Sequence, residues 1–177
     1  MKKLDSKSIA YYALLITLNV VLSRVASFRL GAGDVEIARI GFGSFPIIFG
    51  GIVFGPVAGG IIGAVGDLVG MIVSPMGRFM PHFTINAALI GIIPGLVMIR
   101  CKEKKCMTSF WKLCLAITPG QIIASILLWA YFQNILFGVP YAVILPTRIV
   151  SQLINIPIYA YMTKILVTRL PIAIKSN

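Results

Sequence analysis

Charge is confined to a few places in this chain, and the stretches between them limit what it can become. Asp, Glu, Lys and Arg leave uncharged runs at 8–23, 40–66, 68–77, 79–99, 113–147 and 149–163. A helix that crosses a bilayer needs about 20 mostly apolar residues, and several of these runs supply them. Of 177 residues, 58% are hydrophobic and 12% are charged, against about 25% charged in soluble domains. A single soluble core of this size cannot bury so much apolar surface. The chain is therefore read as an integral membrane protein, and soluble and disordered classes are excluded.

The number of spans follows from length and from the sorting of charge. Run 113–147 is too long for one helix and contains Gln133, Asn134, Gly138 and Pro140, which signal a turn. It divides into spans at about 113–134 and 141–166. Region 40–77 is decided by the positive-inside rule. One span there would put Arg100, Lys102, Lys104 and Lys105 outside. Two short spans, 40–54 and 57–73, with Gly55-Pro56 as the turn, keep them inside. With spans at 8–25 and 80–99 added, the expectation is an all-α membrane protein of six transmembrane helices. It forms one domain with both termini cytoplasmic. The basic start (Lys2, Lys3, Lys7) resembles a signal peptide, but Arg24-Val25-Ala26 is a poor cleavage site, so the first helix is expected to be retained.

In this arrangement every lysine sorts to the inside. The basic residues left elsewhere are all arginines: Arg24, Arg29, Arg39, Arg78 and Arg148. The net charge of +11 would suggest nucleic acid in a soluble protein. Here it sets topology, and no nucleic-acid partner is expected. The outer arginines call for a further reason, and an anionic ligand supplies one.

Polar residues at membrane depth are costly and mark function or interior networks. Arg148, Gln152, Asn155 and Tyr159 follow steps of four, three and four, one polar stripe on a helical face. The stripe fits either an interhelical hydrogen-bond network or the wall of a binding pocket. Gln121, Ser125, Trp129 and Gln133 recur every four residues in the preceding span. Trp129 suits an interfacial belt or a platform for a flat ligand. His82 and Asn86 share a face beside Phe83 and follow Arg78. Asp67 is the one acidic residue expected inside the membrane, paired with an arginine, capping a helix, meeting a ligand donor, or serving as a proton-coupling carboxylate. The segment 27–39, with Phe28, Arg29, Asp34 and Glu36 among glycines, reads as a solvated loop or a lid.

Small residues mark close helix approach. Gly51, Gly55, Gly59 and Gly63 recur at four-residue spacing, broken by the Gly55-Pro56 turn. On the first helix Ala10, Ala13 and Thr17 make a flat patch, suited to another helix of this chain or to a partner protein. Cys101, Cys106 and Cys114 match no zinc or redox spacing and read as reduced thiols. A single histidine excludes a multi-histidine metal site. There is no Walker motif, no His-Glu-x-x-His and no Gly-x-Ser-x-Gly. An enzyme is therefore not expected, and six short spans without an inverted repeat favour a binder that draws energy from a partner.

These residues resemble a known family. Six short spans and the patch Ala13-Leu-Leu-Ile-Thr17 are similar to the substrate-binding S components of energy-coupling-factor (ECF) vitamin transporters. So is Gly63-Ala-Val-Gly-Asp-Leu-Val-Gly70. The segments Phe83-Thr-Ile-Asn-Ala-Ala-Leu-Ile-Gly-Ile-Ile-Pro-Gly95 and Leu145-Pro-Thr-Arg-Ile-Val-Ser-Gln152 resemble the folate-specific members. The family's first-helix motif has alanine where this chain has Thr17, which is still small. The resemblance implies a multi-pass plasma-membrane protein that binds folate from outside. It would dock on a transmembrane scaffold with two ATPases and topple to release its cargo. It would hold no cofactor, since ATP is used by the partner subunits. The implied pocket uses Arg148, Gln152, Asn155, His82, Phe83, Asn86, Trp129, Gln133, Arg78, Arg24, Phe28 and Asp67, with Ala10, Ala13 and Thr17 as the docking patch. Pantothenate, riboflavin or a queuosine precursor are the alternative cargoes, and the outer arginines disfavour riboflavin. A small membrane enzyme or a channel is the remaining alternative.

Overall fold

A computed structural model describes residues 6–25, 27–32, 35–73, 80–100 and 108–169, without the side chains of Lys7 and of residues 24–40. Six helices and one hairpin make up the described chain. Helix α1 spans Ser6–Val25 and leads into strands β1, Ser27–Ala32, and β2, Val35–Gly41. Helices α2, Phe45–Phe54, and α3, Pro56–Val73, follow, and then α4, Pro81–Ile99. A long α5, Phe110–Phe137, and α6, Tyr141–Arg169, complete the bundle. Four of these helices, α3 to α6, are long and apolar enough to cross a membrane. The outward faces are apolar, as lipid requires: Ile72, Leu115, Leu127 and Leu153 are all exposed.

The second helix differs from the sequence expectation at its start. Residues 35–41 are strand, paired antiparallel with 27–32, and the helix begins only at Phe45. The register sets Phe28 against Ile40 and Arg29 against Arg39, with a bulge at Leu30/Gly31. The segment read as a solvated loop or a lid thus carries a two-stranded antiparallel hairpin. Two side chains fasten its exit: Asn19 Nδ2 donates to Gly43 O at 2.6 Å, and the Tyr159 hydroxyl donates to Gly41 O at 2.6 Å. The ten residues of α2 reach about 15 Å, half of the roughly 30 Å hydrocarbon layer. Nine of them are buried, so α2 is sheltered by its neighbours rather than by lipid.

Breaks fall where backbone chemistry demands them. Gly55 has φ +99°, a conformation strained for any other residue, and Pro56 opens α3 at once. Gly138, at φ +67°, ends α5 in a left-handed cap, with Asn134 Nδ2 donating to Val139 O at 2.9 Å. Between these turns, α2, α3 and α4 meet through glycine. A Cβ on Gly59 would lie 2.6 Å from Gly91 O and 2.7 Å from Gly51 Cα. On Gly51 it would collide with Gly91 O, and on Gly63 with Ala87 O. Without a hydrophobic drive between helices in lipid, such backbone-to-backbone packing is what holds them. The glycines at four-residue spacing on both sides of the turn thus serve packing within the chain.

Helix α5 is not uniform. Pro119 lacks the N–H that the ladder needs, and the stretch Gln121–Leu128 that follows is a π-helix. Side chains spaced by four drift about 40° per step around an α-helix. The wider π turn reduces that drift, and Gln121, Ser125 and Gln133 all stay buried.

Candidate functional site

The inward faces of α4, α5 and α6 bring together an aromatic cluster. His82 and Phe83, on the first turn of α4, lie against Phe132 and Trp129 of α5. The His82–Phe132 ring centroids are 4.3 Å apart and those of Phe83 and Trp129 are 4.7 Å apart. Arg148 enters from α6, its guanidinium carbon 4.5 Å from the Trp129 ring centroid. Arg148 is only 4% exposed. A guanidinium on an indole face is a favourable contact, and being planar and always charged it also suits a carboxylate.

Beneath the rings the same faces carry buried amides. Asn86 lies one turn below His82 on α4, and Gln152 lies one turn below Arg148 on α6. His82 Nε2, Asn86 Oδ1 and Gln152 Oε1 are buried without a hydrogen-bond partner among the described residues. Buried polar atoms are normally satisfied, and each exception calls for a reason. Gln133 and Asn155 are buried as well, at 1% and 4% exposure.

The polar stripe on α6 faces inward along its whole length: Arg148, Gln152, Asn155 and Tyr159 are all buried. Its lowest member, Tyr159, fastens the hairpin exit. Asp67 is half-buried on α3, and its Oδ2 accepts a 2.7 Å hydrogen bond from Thr84, between His82 and Asn86 on α4. Among the described residues its partner is thus a hydroxyl, where the sequence also allowed an arginine. Phe132 belongs to the cluster and was missed; its offset of three from Trp129 is the signal that was available, but one more phenylalanine in an apolar span carries no contrast. The side chains of Arg24 and Phe28, and all of Arg78, lie outside the described residues. Ala10, Ala13 and Thr17 are exposed on one face of α1 beside Leu14, and Thr17 Oγ1 donates to Ala13 O at 2.9 Å. That bond leaves the patch without a free hydroxyl donor.

The fold and this inward-facing constellation define a class. The sequence model of the family described as "ECF-type riboflavin transporter, S component" matches residues 3–171, and the chain belongs to the S components of ECF-type transporters. It is a membrane transporter subunit, not an enzyme. Within that class it is 33% identical over 160 residues to the folate transporter FolT of Clostridium novyi (strain NT), covering 90% of this chain and 86% of that one. A second folate transporter FolT, from Leuconostoc mesenteroides, is 26% identical over 165 residues, covering 88% and 82%. A crystal structure of FolT bound with folic acid superposes with a TM-score of 0.76 at 30% identity, covering 94% of this chain and 96% of that one.

Proposed function

We propose that this chain is the folate-binding S component of an ECF importer in the plasma membrane. The observation that carries the reading is the buried guanidinium of Arg148 on the Trp129 ring, beside Phe83, His82 and Phe132. Folate is a flat heteroaromatic ring with a donor-and-acceptor edge and an anionic glutamate tail. The rings supply a stacking platform, Arg148 supplies a counter-charge, and Asn86 and Gln152 supply acceptors for the ring edge. Gln133, Asn155 and Asp67 complete the polar lining in this reading, and Arg24, Arg78 and Phe28 stay candidates on the strength of the sequence alone. The resemblance to two FolT proteins and to a folate-bound FolT supports the same cargo.

Both termini lie in the cytoplasm in this reading, since the eleven inner basic residues include every lysine. The chain lacks a Walker motif, and in this reading a transmembrane scaffold and two ATPase subunits drive transport. The scaffold docks on Ala10, Ala13 and Thr17. The family description names riboflavin, whose flavin carries no carboxylate for Arg148. Equilibrium titration of the detergent-purified protein with folate, riboflavin and pantothenate separates the readings. Folate is expected to bind well below micromolar concentration and the other two not. Folate affinity no tighter than micromolar, or tighter binding of riboflavin, overturns the proposal.

A further inference from the structure

Helices α3 and α4 meet at three rungs, each one turn from the next. At Gly59 a Cβ would lie 2.6 Å from Gly91 O, and at Gly63 it would collide with Ala87 O. The third rung is of another kind: the Thr84 hydroxyl donates to Asp67 Oδ2 at 2.7 Å. Two rungs set backbone on backbone, whereas two side chains and a hydrogen bond span the third. The direction of that bond is unusual for this chain. Thr17, Thr118, Thr147 and Thr168 each donate to the carbonyl four residues back in their own helix. Thr84 instead reaches across to a neighbouring helix. It belongs to the first turn of α4, which starts at Pro81 with no side-chain cap at Met80. An uncapped first turn is the weak end of a helix. The same turn carries two rings of the chamber, His82 at 4.3 Å from Phe132 and Phe83 at 4.7 Å from Trp129.

Resting on the folate reading above, we propose that Thr84 is a positioning residue of the cargo site. Its bond to Asp67 anchors the first turn of α4 and so sets how His82 and Phe83 stand against Phe132 and Trp129. The chemistry of the pair suits the task. A carboxylate is the strongest acceptor a side chain offers a hydroxyl, and the bond gains strength where water is scarce. A glycine rung at this level would draw α4 onto α3 and pull the rings away from α5. No rung at all would leave the uncapped turn to fray. A binding platform works only when its rings are held to within about 0.5 Å. The cost of a carboxylate at membrane depth thus has a return in the placement of the ring pair. Asp67 bears on the cargo through α4, and its effect on binding depends on Thr84.

The test uses the whole chain with Trp111→Phe, which leaves Trp129 as the single tryptophan. Emission and near-ultraviolet circular dichroism of Trp129 report ring placement without any ligand, and titration with folate reports the site. Thr84→Val keeps the shape and removes the donor. It is expected to shift both Trp129 signals and to weaken folate binding by about tenfold. Thr84→Ser keeps the donor and is expected to stay within about twofold. Asp67→Leu should match the loss of Thr84→Val, and Asp67→Asn, which keeps an acceptor, should recover most of it. The double variant Thr84→Val with Asp67→Leu should lose no more than the larger single loss, because both delete the same bond. Wild-type affinity and Trp129 signals in Thr84→Val overturn the proposal. So do additive losses in the double variant, which would set Asp67 on the cargo independently of Thr84. A wild-type protein that does not bind folate overturns the folate reading. The Trp129 signals of Thr84→Val and Thr84→Ser would still decide whether Thr84 places the rings.

Discussion

The seam between α2, α3 and α4 and the chamber between α4, α5 and α6 are built on opposite principles. In the seam the contact is backbone on backbone at Gly51, Gly59, Gly63 and Gly91, with no room for a Cβ. In the chamber large side chains meet: His82, Phe83, Trp129, Phe132 and Arg148, over amides with unmatched atoms. Helix α4 takes part in both, its glycines toward α3 and its first-turn aromatics toward α5. Close backbone packing is concentrated in the seam, which the Thr84–Asp67 hydrogen bond also crosses, and unmet hydrogen-bonding capacity lies where a ligand can meet it. The two halves should therefore fail differently when altered.

The largest effect is expected from the seam. Gly91→Leu forces a side chain into the Gly59 carbonyl, and the helices must separate. The expected loss is about 3 kcal/mol of stability or more, read as a lower melting temperature and aggregation of the detergent-purified protein. Ligand binding should be lost with the fold. A Gly91→Leu protein that melts like the wild type would show that the close approach is not what holds α4. Next in size is Arg148→Ala in the chamber. A ligand carboxylate that loses its buried partner weakens binding by about 2 kcal/mol or more, while stability changes little because the buried charge is itself costly. Isothermal titration measures the first and thermal melting the second; unchanged affinity removes Arg148 from the site. Smaller again is Tyr159→Phe, which deletes the 2.6 Å bond to Gly41 O. About 1 kcal/mol of stability is expected to go, with faster amide exchange at the hairpin exit. Exchange unchanged at residues 41–43 would mean that the hairpin is held by other contacts.

The sequence showed the chamber more readily than the hairpin, for physical reasons. A polar residue in an apolar span has a cost that demands an explanation, so the stripe from Arg148 to Tyr159 and the run from Gln121 to Gln133 stood out and proved inward-facing. The turns at Gly55-Pro56 and Gly138 carry backbone signals that no packing overrides. Segment 27–41 gave the reverse signal. Its charges and glycines look like open loop, and its pairing depends on a register set by residues eight to fourteen positions apart at its open end. The π-helical stretch left no mark, because apolar period does not distinguish a widened turn from an ordinary one. The partner of Asp67 stayed open for a similar reason: a carboxylate advertises a need for a donor, and sequence does not say whether an arginine or Thr84 meets it.

The smallest expected effect on binding, and the sharpest on function, lies on neither side of the comparison. Ala10, Ala13 and Thr17 face outward from α1, a helix that packs against α2 and α3 but not in the chamber. Ala13→Trp adds bulk to a flat face that only a neighbour in the membrane would notice. In lipid such a face has no hydrophobic reason to be covered, and small residues there serve close approach by another helix. Folate affinity and melting temperature are expected to stay within about 0.5 kcal/mol of wild type, while uptake by cells or vesicles containing the complete transporter falls to background. Uptake that survives the substitution would place the docking face elsewhere on the molecule. Lost binding would mean that α1, through the Asn19 bond to Gly43, shapes the chamber as well as the docking face.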